Sequence, residues 1–373
     1  MIIHLLNTLF LLHCANAFCA NRGFHSSEHT IFRASNANEL MPMQQGSSCA
    51  VITPMTDSGK IDIPSFRNLL RYHLDSGTDN LCILGTTGEA SVMSMDEREQ
   101  VITTAVDMVK GKMPILVGTG TINPNHVKEM TQQAIDLGCD ASLVVCPYYV
   151  KPPQRGLIDH FVNAADLGLP VIMYNIPGRT KVDLTAQSTA MLSQHPNIVG
   201  LKDATGDLDR VKEIRSLVSD DFLLYSGNDD TASNFVMRGG DGCISVTANV
   251  APEHMHDLMV AALEKDADLV QQINGPLMGL HKNLFVESNP IPVKWAAWRA
   301  GLIQSPVCRP PLAELDTKYY KDVETALYAA GLLDFEVLGF DAKVPTPLNG
   351  DGKYGKMVNT EGDWNYVSFN VRA

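Results

Sequence analysis

One lysine stands in an otherwise apolar stretch, IVGLKDATGD from Ile198 to Asp207. Apolar residues precede Lys202, and Asp203, Ala204, Thr205 and Gly206 follow it with turn chemistry, so the pattern predicts a lysine near the carboxyl end of a buried strand. Burial disfavours an ammonium, and the free amine is the form that attacks a carbonyl carbon to give a Schiff base. The competing reading is a strand-end lysine whose ammonium reaches back to water.

Other polar motifs would serve such an amine. GTTGE, Gly85 to Glu89, joins glycines that permit a tight turn to two hydroxyls, Thr86 and Thr87, and to consecutive N–H groups suited to a small anion such as a carboxylate. CPYYVKP carries Tyr148 and Tyr149, and YNIPGRT carries Tyr174 and Arg179. Linked tyrosine hydroxyls relay protons, and an arginine holds a carboxylate through two parallel hydrogen bonds. SGNDD reads as a turn and ISVTANV as core, with Ile244 placed to offer backbone contacts to a ligand. Each motif taken alone also has an ordinary packing or turn role.

The elements that must bring these residues together repeat along the chain. Short apolar runs begin at Cys49, Asn80, Pro114, Ala141, Pro170, Ile198, Phe222 and Gly242, about 20 to 34 residues apart, the length of a strand, a loop and a helix. Between them lie helical patterns, such as Phe66, Leu69, Leu70 and Leu74, or the capping-box pair Ser94 and Glu97 ahead of Val101, Ile102 and Ala105. Runs without alternation indicate strands buried on both faces. The expectation is an α/β fold, a (β/α)8 TIM barrel over residues 48–265, with a doubly wound open sheet as the competitor. Helical segments over 266–333, including one from Leu312 to Leu333, are expected to form a small C-terminal helical domain, and 334–373 a C-terminal extension.

The chain has 373 residues, 45% hydrophobic and 19% charged, enough for a substantial core. Its net charge of −13 argues against nucleic acid and anionic membrane surfaces as partners. Of eight cysteines, Cys14 and Cys19 lie in the leader; without a C-x-x-C pair or a Cys/His cluster the others read as buried reduced thiols, and no metal site is expected. Residues 1–47 read as a presequence. An apolar run from Ile2 to Leu12 precedes Ala15-Asn16-Ala17 and then a stretch rich in Ser and Asn. The ANAF junction resembles the bipartite presequences of proteins sent to the complex plastids of algae, with the secretory pathway as the alternative.

VITPM, GTTGE, PYY, YNIPGRT, GLKDATGD, ISVTANV and FVESNPIPVKW, in this order over about Ser48 to Leu333, resemble the 4-hydroxy-tetrahydrodipicolinate synthases, also called dihydrodipicolinate synthases, of the class I aldolase superfamily. The resemblance implies condensation of pyruvate with L-aspartate 4-semialdehyde through a Schiff base on Lys202. Tyr174 would donate and accept the proton, within a relay of Thr86, Tyr149 and Tyr174. Thr87 and Ile244 would contact pyruvate, Arg179 would hold the carboxylate of the aldehyde, and Tyr148 would lie at a subunit contact. It implies no cofactor and a homo-oligomer, tetramer or dimer. Another pyruvate aldolase, such as an N-acetylneuraminate lyase, and a catalytically silent paralogue are the alternatives; Arg179 favours the synthase. The segments Ala90 to Arg98 and Thr121 to Glu129 depart from the pattern of lysine-regulated members, which leads to an expectation of weak or absent inhibition by L-lysine.

Overall fold

The computed structural model describes residues 40–333. The extension at 334–373 and all but the last part of the expected presequence lie outside them. Eight strands form the barrel: β1 Gly46–Ala50, β2 Asn80–Ile83, β3 Ile115–Gly118, β4 Ala141–Val145, β5 Val171–Asn175, β6 Ile198–Asp203, β7 Leu223–Ser226 and β8 Gly242–Ser245. They pair in chain order, and β8 pairs in parallel with β1 through Gly46↔Gly242 to Cys49↔Ser245. This closure excludes the open sheet. It also depends on glycine at the seam, because a Cβ on Gly242 would lie 2.1 Å from the carbonyl oxygen of Gly46.

The first strand begins at Gly46, so the boundary expected at residue 47 falls inside it. Gly46, Ser47 and Ser48 lack the apolar signature, yet all are buried. The preceding segment closes the amino-terminal end of the barrel. Met43 is buried against the interior side chains, the Gln44 N–H donates to Asn80 Oδ1 at 2.7 Å, and the Tyr225 hydroxyl donates to the Gln44 carbonyl at 2.6 Å.

Helices cover the outside as their spacing predicts. Ile63–Asp75 starts with Asp62 accepting from the Ser65 N–H at 3.1 Å and buries Phe66, Leu69 and Leu70 on one face. Full burial of each such side chain stabilises the fold by roughly 1.5–3 kcal/mol. In Met95–Val109 the capping box forms as expected, with Glu97 N–H on Ser94 Oγ at 3.2 Å and Ser94 N–H on Glu97 Oε2 at 3.0 Å. The helices Ala267–Asn283, Ile291–Arg299 and Tyr320–Ala329 contribute Leu277, Leu280, Val293 and Val323 to the same apolar cluster as Phe66 and Val101. The helix expected from Leu312 begins only at Tyr320, after a 3-10 turn Thr317–Tyr319. Asp316 caps that turn by accepting from the Lys318 N–H at 3.0 Å, while Leu315 is buried in the core. The six cysteines among the described residues are free and buried.

At the amino-terminal end of the barrel, Asp79 Oδ2 accepts from the Ser47 N–H at 2.7 Å and pairs with His256 Nδ1 at 3.0 Å. The hydrogen bond to Asp79 raises the His256 pKa, burial opposes it, and Asp257 and Glu253 add to the rise. A raised folded pKa means that the charged pair stabilises the fold fully below the unfolded value of about 6.5, and that this contribution disappears as pH rises through the folded pKa. Thermal melts of wild type and His256→Gln between acidic and mildly alkaline pH are therefore expected to differ most at the acidic end and to converge at the alkaline end. A gap that stays constant with pH would show that the pair has no linkage to protonation.

Candidate active site

Lys202 is the penultimate residue of β6, level with Tyr174 on β5 and Tyr225 on β7. Strand alternation sends its side chain into the barrel, where it is 5% exposed. Asp203 is held elsewhere, by the Thr205 N–H at 2.8 Å and Arg210 Nε at 3.0 Å. The lysine Nζ stands 4.5 Å from the centroid of the Tyr174 ring, whose negative face attracts a cation. Tyr174 packs with Ala50, Cys82, Leu143, Ile172 and Ile244 in the barrel interior. Burial pushes the Cys82 thiol up to about 11 and the Cys243 thiol well above its usual value, with Lys202 drawing both partly back. Both thiols therefore stay neutral near pH 7.

Room for the lysine comes from Gly227 at the end of β7. A Cβ there would lie 2.6 Å from Ala204 Cβ and 3.1 Å from Lys202 Cε. SGNDD, read from sequence as an ordinary turn, thus contributes the space beside the amine.

GTTGE forms the wall after β2. Gly88 N–H donates to the Gly85 carbonyl and Glu89 N–H to the Thr86 carbonyl, both at 3.1 Å, and Thr53 Oγ1 donates to the Gly88 carbonyl at 2.9 Å. These two N–H groups are engaged within the turn. The consecutive amides expected to face an anion are thereby reduced to those of Thr86 and Thr87. Thr86 is exposed and Thr87 is buried. Asn289 Nδ2 donates to Thr87 Oγ1 at 2.9 Å, and the Asn289 carbonyl accepts from Arg179 Nη2 at 3.3 Å. The Asn289 Oδ1 atom is buried with no hydrogen-bond partner. Arg179, on the short turn Pro177–Thr180, is thus exposed and tied through one residue to Thr87. Ile244 lies on β8 and is 1% exposed.

Within the single chain, one member of the expected relay stands apart from the others. Tyr149 is 86% exposed in the single chain, at φ +68° in a turn closed by the Val150 N–H on the Tyr148 carbonyl at 2.8 Å. That turn carries it to the surface and away from the buried interior that Tyr174 and Lys202 share. Tyr148 meets Thr121 Oγ1 at 3.2 Å.

Two further residues were not singled out from the sequence. Glu89 and Lys294 form an ion pair at 2.5 Å with both side chains fully buried. Lys294 Nζ also donates to the Val307 carbonyl at 2.5 Å, and Glu89 Oε2 accepts from the Arg309 N–H at 2.7 Å. Arg309 in turn makes a two-pronged contact with Glu97 at 2.8 and 2.5 Å, which pulls the Glu97 carboxyl down to about 2. Losing one partner of a buried pair leaves the other charge uncompensated. Lys294→Met is expected to lower unfolding stability by about 3–5 kcal/mol in denaturant titration. Adding Glu89→Gln should recover part of that loss, and a double variant no more stable than the single would contradict the assignment.

A buried amine in a closed barrel, with a tyrosine ring against it, can condense with a small keto acid. A model of the dihydrodipicolinate synthetase family matches residues 43–330. The 4-hydroxy-tetrahydrodipicolinate synthase of Pseudomonas putida is 46% identical over 292 residues, 78% of this chain and 100% of that protein. The enzyme of the same name from Pseudomonas aeruginosa is 45% identical over the same shares. Among solved structures, the chloride-inhibited dihydrodipicolinate synthase from Acinetobacter baumannii complexed with pyruvate gives a TM-score of 0.75 at 43% identity, covering 78% of this chain and 99% of that one. The Thermotoga maritima enzyme gives 0.76 at 37% identity over 78% and 100% of the two chains. The chain belongs to the dihydrodipicolinate synthetase family.

Proposed function

We propose that the protein is a lyase of the class I aldolase type, a 4-hydroxy-tetrahydrodipicolinate synthase that condenses pyruvate with L-aspartate 4-semialdehyde in the route to diaminopimelate and lysine. The observation that carries this is Lys202, 5% exposed inside the closed barrel with its Nζ 4.5 Å from the Tyr174 ring.

The Lys202 amine adds to the pyruvate ketone, and loss of water leaves a protonated imine. The imine withdraws electrons from the adjacent methyl group, which gives up a proton, with Tyr174 as the exchanging group, to form an enamine. The enamine carbon attacks the aldehyde, whose oxygen takes up a proton to become a hydroxyl. The amino group of the second substrate then attacks the imine carbon, which closes the ring and frees Lys202. Thr87 and the main chain of Ile244 contact pyruvate, and Thr86 stands in the proton relay with Tyr174. Arg179 at the mouth serves the carboxylate of the aldehyde, which favours an amino-acid aldehyde over a sugar acid. Borohydride treatment with pyruvate is expected to fix one adduct on Lys202 in intact-mass analysis and none in Lys202→Arg. Tyr174→Phe should slow turnover by about a hundredfold or more. Wild type without an adduct would refute the reading.

The active form in this proposal is a homo-oligomer, tetramer or dimer. Support comes from an aromatic and apolar ledge, with Tyr148 37%, Tyr149 86%, Val150 57% and Ile122 40% exposed. If Tyr149 serves the relay, it does so from a neighbouring copy. Mixing inactive Lys202→Arg with Tyr149→Phe subunits is then expected to restore activity above either alone. Mixtures that stay as inactive as their components would place Tyr149 outside any shared site.

A further inference from the structure

Resting on the pyruvate reading above, we infer that Asp229 is a positioning residue for the keto-acid end of the site, acting through the turn that follows β8. Asp229 lies beyond the end of β7 in SGNDD and is 3% exposed. Its Oδ1 accepts from the Ser245 hydroxyl, and its Oδ2 accepts from the N–H groups of Val246 at 3.0 Å and Thr247 at 3.3 Å. The Cys243 thiol approaches Oδ1 at 3.9 Å. Ser245 Oγ in turn accepts from the Ala248 N–H at 2.9 Å. One carboxylate therefore organises the chain from Cys243 to Ala248, and hydroxyl and backbone donors satisfy it in place of a cation.

That segment contains Ile244, the residue whose main chain is assigned to pyruvate. The far side of the turn is held separately. Thr247 Oγ1 meets His281 Nδ1 at 2.9 Å, and His281 Nε2 meets Asn274 Oδ1 at 3.1 Å. Asn249 Nδ2 donates to the Ala50 carbonyl at 2.8 Å, and its Oδ1 accepts from the Ile52 N–H at 2.9 Å. With the distal part pinned by these bonds, a change at Asp229 is felt at the end of β8 next to Ile244 rather than through the whole turn. Charge-assisted hydrogen bonds are roughly twice as strong as neutral ones. An amide at this position keeps two acceptor bonds but leaves the Ser245 hydroxyl hydrogen facing a donor.

The test is steady-state kinetics of Asp229→Asn and Ser245→Ala beside the Lys202 borohydride adduct. Asp229→Asn is expected to raise the pyruvate KM by about fivefold to tenfold and to change the aspartate semialdehyde KM by less than about twofold. Ser245→Ala should shift the pyruvate KM in the same direction by a smaller factor, and Asp229→Glu should recover part of the loss. An unchanged pyruvate KM, or an equal rise in both KM values with a lowered melting temperature, would overturn the inference while a normal wild-type adduct upheld the pyruvate reading. Wild type without an adduct would overturn both. Should Asp229→Asn not fold, the Ser245→Ala measurement decides.

Discussion

Glu89 and Lys294 meet where water does not reach, and their pairing joins the wall of the site to the helices that follow the barrel. Taking each ion out of water costs several kcal/mol, and attraction between them offsets this only with good geometry and further hydrogen bonds. Both conditions hold. The ammonium has the Val307 carbonyl as a second partner, and the carboxylate has the Arg309 N–H. Because Glu89 closes GTTGE and stands at φ +57°, the pair sets where Thr86 and Thr87 can lie. Asn289, shortly before the helix Ile291–Arg299 that carries Lys294, reaches the same turn through Thr87. The C-terminal helices thus help to build the active site.

Within that frame the barrel isolates one amine. Its neighbours are an aromatic face, aliphatic side chains and neutral thiols, and the nearby carboxylate of Asp203 is occupied by Thr205 and Arg210. Below, Met43, Gln44 and Tyr225 close the floor. Above, the loops remain open around Arg179 and Thr86. This asymmetry suits covalent capture of a small keto acid followed by entry of a second, larger reactant from the mouth.

Much of the fold was legible because strands buried on both faces must be apolar throughout, as in LVV of β4 and VIM of β5. The rule failed where burial was satisfied by small residues. Gly46 and Ser47 belong to β1 although residues 1–47 read as a presequence. At the other end, Asp316 was a helix-start signal hidden inside a longer apolar pattern. In the site, Lys202, Tyr174, Thr86, Thr87 and Arg179 stood out as reactive or polar groups near strand ends, and Ile244 through its main chain. Glu89, Asn289 and Lys294 did not, since the contacts Asn289–Thr87 and Lys294–Glu89 span 202 and 205 residues of sequence. Asp229 escaped attention for a different reason: an acidic pair in a turn usually faces solvent.

By itself the order of residues determined the repeat of strand and helix and the place of one lysine among apolar neighbours, since both follow from local periodicity and side-chain type. Closure of the sheet and the pairing of Glu89 with Lys294 were decided only in three dimensions. Each depends on which distant segments come into contact, and contact between segments far apart in the chain leaves no trace in local spacing.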